Sequence, residues 1–121
     1  MRKYNIIILT DKDSWIAPYV VVLRNKLIKM GYNVHIDENF PTGSNFDMCF
    51  MLSYSRIVGR EILAKSKHNL VVHESALPQG KGWSPMTWQI LAGKNIIPIT
   101  LFEAAESVDA GQIYMQREMV F

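Results

Sequence analysis

The hydrophobic positions of this chain change period several times, and each change predicts an element. Asn5–Leu9 is an almost unbroken aliphatic run closed by the polar stretch 10–14, the pattern of a buried first strand. Beyond it the period lengthens. Ile16, Val20, Leu23, Leu27 and Met30 recur at steps of three and four, which lines one face of a helix. Pro18 fits its first turn, where a missing N–H is tolerated, and Gly31 is a natural stop. Short strands are then predicted at Asn33–Asp37 and 46–53, separated by the Pro-Thr-Gly-Ser loop 41–44, and residues 59–65 have room for one or two helical turns. A strand over 69–73 runs into the loop 74–83. Ser84-Pro85, an apolar pattern through Leu91 and Gly93 predict another helix with a serine cap and a glycine stop. Residues 95–103 and 111–120 read as two closing strands. This alternation predicts an α/β layer with a largely parallel sheet.

Composition narrows the class. The 121 residues amount to one domain, expected to span 1–121, long enough to bury about two-thirds of its unfolded surface. A content of 49% hydrophobic and 20% charged residues excludes disorder and collagen-like repeats. The apolar runs 19–23 and 48–52 are far shorter than the roughly 18 residues a bilayer span needs. No apolar segment with a cleavage site follows the basic start, so neither a membrane nor a secretory signal is expected. The 13 basic and 11 acidic side chains leave a charge of +2 spread along the chain. Nucleic-acid binders concentrate Lys and Arg on one face, so no such partner is expected. Cys49 has no second cysteine to pair with, and its neighbours Met48, Phe50 and Met51 predict a buried thiol in a reducing, cytoplasmic setting. His35, His68 and His73 do not make a zinc-ligand set, and no metal is expected.

In open α/β sheets, ligands sit beyond the carboxyl ends of the strands. His73 closes the predicted 69–73 strand and so falls at that rim, and imidazole is suited to moving protons near neutral pH. Taken alone, such a histidine more often does no more than hydrogen-bond a loop.

The residues around it are more specific. His73-Glu74-Ser75-Ala76-Leu77-Pro78, then Gly80-Lys81-Gly82, Ser84-Pro85 and Trp88-Gln89-Ile90, resembles the signature loop of the folate-dependent formyltransferases. Thr100-Leu101-Phe102, Val108-Asp109-Ala110-Gly111 and Ile113 are similar to a second family segment, in which an Asp–x–Gly loop opens the last strand of the active site. The match runs best over 52–117. It implies a Rossmann-like formyltransferase fold and transfer of a formyl group from 10-formyltetrahydrofolate to a primary amine. His73 and Asp109 would be two of the family's three catalytic residues. The amine attacks the formyl carbon and a tetrahedral oxyanion forms, and one donor aimed at such a charge is worth about 2.7–4 kcal/mol. His73 would donate there, while Asp109 would orient the imidazole and help relay the amine proton through water.

The family's third residue, an asparagine two places before the histidine, is Val71 here. Strand alternation puts Asn69, Val71 and His73 on one face, with Asn69 about 6–7 Å further back. A bulge that lets Asn69 reach the site, a substitute donor such as Ser75 or Ser53, or a weakened, non-catalytic member all remain open. The resemblance also maps a folate pocket. Tyr54, Ser55, Arg56, Ile57 and Val58 resemble the stretch whose backbone pairs with the pterin, and Ala104, Glu106 and Val108 fall in the loop around its other side. Ile57 and Val58 are equally readable as core residues.

The acceptor is read from the loops. Relatives that formylate glycinamide ribonucleotide hold its phosphate on a Gly-rich first loop. Residues 10–15 here, Thr-Asp-Lys-Asp-Ser-Trp, have no glycine and two carboxylates. Relatives acting on initiator tRNA carry a C-terminal RNA-binding domain and a basic surface, and this chain stops at Phe121 with no basic block. The Gly-Lys-Gly-Trp-Ser-Pro version of residues 80–85 looks most like relatives that formylate amino sugars on nucleotides. Lys12, Ser14, Ser75, Gly82 and Trp83 are then the candidate acceptor contacts, Trp83 by stacking. Two readings follow, an N-formyltransferase acting on an amino sugar nucleotide and a non-catalytic folate-binding module. Domains of this family usually continue with further helices, so either a truncated form or a homodimer covering the exposed sheet face is expected.

Overall fold

A computed structural model describes residues 3–56, 58–73, 93, 96–105 and 111–120. The elements run β1 (Asn5–Leu9), α1 (Ala17–Lys29), β2 (Asn33–Asp37), β3 (Phe46–Met51), α2 (Arg60–Leu63), β4 (Ser66–His73), β5 (Ile96–Glu103) and β6 (Ile113–Val120). The strands form one six-stranded sheet in the order β2-β1-β3-β4-β5-β6. β1 is parallel to both β2 and β3, and β6 is antiparallel to β5. The fold is the expected α/β type with a mostly parallel sheet. The chain forms two compact units, Met1–Leu70 and Val71–Phe121.

In the first unit β1 lies between two strands, so its peptide groups are paired on both sides and Ile6, Ile7, Ile8 and Leu9 are all buried. Helix α1 packs on β2. It takes Pro18 in its first turn and buries Val20, while Ile16, Leu23 and Leu27 are half-buried. The predicted apolar face ends one turn early, because Met30 is exposed. Met30 is the last α-helical backbone position, and Gly31 then reverses the chain at φ +99°, a conformation open mainly to glycine. The Gly31 N–H donates to the Ile28 carbonyl and the Tyr32 N–H to Leu27, which closes the helix end.

Strand β3 buries Asp47, Cys49 and Met51 on alternate positions. A buried carboxylate needs partners, and Asp47 has the Asn5 N–H at 2.9 Å and the Lys67 ammonium at 3.7 Å. Cys49 is fully buried, as expected, and burial pushes its thiol up to about 12. β3 ends at Met51 rather than at residue 53, because Ser53 turns the chain at φ +50°. β4 starts at Ser66, three residues before its predicted start, a segment whose Ser-Lys-His text carries no apolar alternation.

In the second unit β5 and β6 pair from Ile96 opposite Val120 to Phe102 opposite Ile113, with an irregularity between Leu101 and Phe102. Thr100 and Phe102 are buried, and the Gln116 amide donates to the Thr100 hydroxyl at 3.0 Å. The predicted helix over 84–91 lies outside the described residues. Among the described residues, no helix is long and apolar enough to cross a membrane.

Candidate active site

Parallel strands bring their carboxyl ends to one edge, and in the first unit three loops meet there. The loop after β1 carries Asp11, Lys12 and Ser14, the turn after β2 carries Glu38 and Asn39, and the segment after β3 carries Ser53, Tyr54, Ser55 and Arg56. Backbone bonds align them first: the Thr10 N–H donates to the Asp37 carbonyl at 3.2 Å and the Leu52 N–H to the Leu9 carbonyl at 3.0 Å. Acidic side chains then tie loop to loop. The Lys12 N–H donates to the Glu38 carboxylate at 2.9 Å, and the Ser55 N–H to the Asp11 carboxylate at 3.1 Å. The Ser14 hydroxyl donates to the Ser53 hydroxyl at 2.8 Å.

The Tyr54 hydroxyl donates to the Glu38 carbonyl at 2.7 Å, and burial raises the phenol above its ordinary range. The Arg56 guanidinium reaches the Glu38 carboxylate at 3.3 Å and also bonds the Asn39 side chain. That pair is part-exposed, so it orders the loop more than it stabilises the fold. The Asp37 carboxylate caps the turn by accepting from the N–H groups of Glu38 and Asn39, and the Asn39 bond is the main reason it stays below the usual carboxylate range. The predicted residues Lys12, Ser14, Tyr54 and Arg56 are thus brought together around Glu38 and Ser53. Sequence reasoning missed Asp11 and Glu38 as the hubs of this cluster. The available signal was position, since both follow the end of a strand.

In the second unit His73 ends β4, as the sequence predicted. It is 7% exposed, and its ring meets Phe102 edge to face at 6.4 Å. Ala104 is half-buried just beyond β5. At the start of β6 the Glu103 N–H donates to the Gln112 carbonyl at 2.7 Å, and a Cβ on Gly111 would overlap the Glu103 carbonyl oxygen. The glycine of the Asp–x–Gly segment is therefore required by close approach of the end of β5. Asn69, in the first unit, is buried, and its amide donates to the Leu63 carbonyl at 2.8 Å. Val71 and Val58 are half-buried. Asp109, Ile57, Glu106, Val108, Ser75, Gly82 and Trp83 lie outside the described residues.

His73 at the carboxyl end of β4 stands where open α/β sheets place their ligands. The solved structures agree on the fold. Methionyl-tRNA formyltransferase from Clostridium thermocellum superposes with a TM-score of 0.80 at 25% identity, covering 97% of this chain and 53% of that one. The formyltransferase PseJ from Anoxybacillus kamchatkensis, solved with UDP-4,6-dideoxy-4-formamido-L-AltNAc and tetrahydrofolate, gives a TM-score of 0.70 at 23% identity, covering 97% of this chain and 61% of that one. Methionyl-tRNA formyltransferase from Thermodesulfovibrio yellowstonii is 32% identical over 87 residues, which is 69% of this chain and 28% of that protein. The formyl transferase family profile matches residues 16–120, and the chain belongs to that family. It spans about a quarter of the length of the curated relatives it matches.

Proposed function

We propose that this chain is the catalytic domain of a 10-formyltetrahydrofolate-dependent N-formyltransferase whose acceptor is a primary amine on a sugar nucleotide. The observation that carries the choice of acceptor is the loop 10–15. Its N–H groups at Thr10, Lys12 and Ser14 are occupied by the Asp37 carbonyl, the Glu38 carboxylate and the Asp11 carbonyl. A phosphate-binding loop needs those groups free and no carboxylate beside them. Glycinamide ribonucleotide, held by its phosphate, fits this loop poorly. An amine or a hydroxyl-rich sugar fits it better.

In this reading the acceptor amine attacks the formyl carbon, the bond from that carbon to N10 of the folate breaks, and the proton lost by the amine ends on N10. His73 donates to the oxyanion formed on the way, and Asp109 orients the imidazole and passes the proton through water. Tyr54, Arg56, Ile57, Val58, Ala104, Glu106 and Val108 contribute the folate pocket, and Lys12, Ser14, Ser75, Gly82 and Trp83 the acceptor contacts. That PseJ carries both a formamido sugar nucleotide and tetrahydrofolate supports the pairing of these two ligands. A second reading has its own support, since the curated relatives are methionyl-tRNA formyltransferases. The deciding experiment incubates the protein with 10-formyltetrahydrofolate and, separately, a UDP-4-amino-4,6-dideoxyhexose, methionyl-tRNA and glycinamide ribonucleotide, with products read by mass. Formylation of the sugar nucleotide alone is expected. Formylation of methionyl-tRNA alone would transfer the assignment to that acceptor, and tight folate binding without any product would leave a non-catalytic module.

A further inference from the structure

We infer that Trp15, braced by Tyr19, is the platform on which the sugar ring of the acceptor stacks, an inference that rests on the amino-sugar reading above. Trp15 and Tyr19 are 62% and 65% exposed, and their rings meet edge to face at 6.2 Å. Two large aromatic side chains side by side in water lose the gain that burial would bring. The phase of α1 holds them there. Val20 is turned inward and buried, so Tyr19 faces out, and Trp15 stands exposed in the turn that precedes the helix.

The backbone on either side of Trp15 is pinned although its indole is in solvent. The Ser14 N–H donates to the Asp11 carbonyl at 3.0 Å and its hydroxyl to Ser53 at 2.8 Å. The Ser14 hydroxyl accepts from the Ile16 N–H at 3.3 Å, and its carbonyl from the Ala17 N–H at 3.1 Å. Ser53, which receives the hydroxyl, sits in the left-handed region at φ +50°, a strain of the kind found where a loop is held for a task. An exposed side chain on a pre-ordered backbone binds a ligand without first being organised, which is how aromatic anchors work.

The neighbouring charges say which end of a sugar nucleotide would come here. Asp11 and Asp13 outnumber Lys12, and Asp13 is exposed two positions before Trp15 in the chain. A carboxylate accepts from sugar hydroxyls and attracts an ammonium, while it repels a diphosphate. An aromatic face offers apolar contact to the C–H face of a pyranose, with the indole N–H as a directional donor. The sugar, not the diphosphate, therefore belongs on Trp15. The family profile begins at residue 16, so Trp15, unlike Tyr19, lies outside the segment the profile matches.

The test compares wild type with Trp15→Ala, Trp15→Phe and, as a control for losing an exposed apolar side chain, Met30→Ala. Initial rates with a UDP-4-amino-4,6-dideoxyhexose should show an acceptor KM raised about tenfold by Trp15→Ala, the scale of one aromatic stack. The KM for 10-formyltetrahydrofolate and kcat should stay within about twofold, Trp15→Phe should recover most of the loss, and Met30→Ala should change nothing. Calorimetric titration should show the same weakening for the UDP-amino sugar and none for UDP alone. An unchanged acceptor KM in Trp15→Ala, or equal weakening of UDP and the UDP-amino sugar, would overturn the platform while leaving the acceptor assignment intact. A wild-type protein that neither binds nor formylates any UDP-amino sugar would overturn the assignment and the platform with it.

Discussion

His73 and Asn69 lie four residues apart on one strand and are held in different ways. His73 is buried against the ring of Phe102, whereas the Asn69 amide is spent on the Leu63 carbonyl at the end of α2. Their substitutions should therefore separate. His73→Gln keeps most of the side-chain volume and should lower formyl transfer by 10²-fold or more, about the contribution of a positioned acid/base group, with the melting temperature little changed. Asn69→Ala leaves the part-buried Leu63 carbonyl without its donor and empties a buried polar position, which costs about 1–3 kcal/mol. It should lower the denaturation midpoint while turnover per folded molecule stays within about threefold of wild type, a difference too small for a lost catalytic group. Loss of turnover in a folded Asn69→Ala protein would instead make Asn69 the stand-in for the asparagine that Val71 replaces. Wild-type rates in His73→Gln would move the site away from the end of β4.

At the scale of elements, the turn from β5 to β6 depends on a single missing side chain. Gly111→Ala drives a Cβ into the Glu103 carbonyl, and both sides of that contact are backbone, so neither can swing away. Forced overpacking of this kind costs about 1–3 kcal/mol. Gly59→Ala is the matching control, because a Cβ there meets open space at φ −80°, and at the N-cap of α2 the change should cost less than about 1 kcal/mol. Urea midpoints of the two variants give the comparison. A Gly111→Ala protein as stable as Gly59→Ala would mean that the turn relaxes freely. The same contrast shows what a sequence can carry. The Asn-Ile-Ile-Ile-Leu run made β1 legible to the residue, because burial on both faces leaves no polar interruption. The start of β4 was not legible, since Ser66, Lys67 and His68 extend the strand by pairing rather than by patterning. His73 was readable from its place at a strand end. Asp11 and Glu38 share that positional signal, but their role as hubs is not in it, because their partners come from other loops and only the fold sets those distances.

For the whole molecule the question is whether the two compact units unfold as one. The division falls between Leu70 and Val71, inside strand β4 rather than in a linker, and neither glycine nor proline occurs within that strand. Separate domains are normally joined where few contacts cross, in exposed and flexible chain. Here a single eight-residue strand belongs to both units and takes its place within one six-stranded sheet. We therefore expect residues 1–121 to behave as one cooperative domain. Scanning calorimetry should give a single transition with an enthalpy of ~85 kcal/mol near 60 °C, the value for a chain of this size. The calorimetric and van't Hoff enthalpies should agree, and far-ultraviolet circular dichroism should melt together with tryptophan fluorescence. Two resolved transitions, or a van't Hoff enthalpy near half the calorimetric one, would mean that β4 is a seam between two domains instead of the strand that unites them.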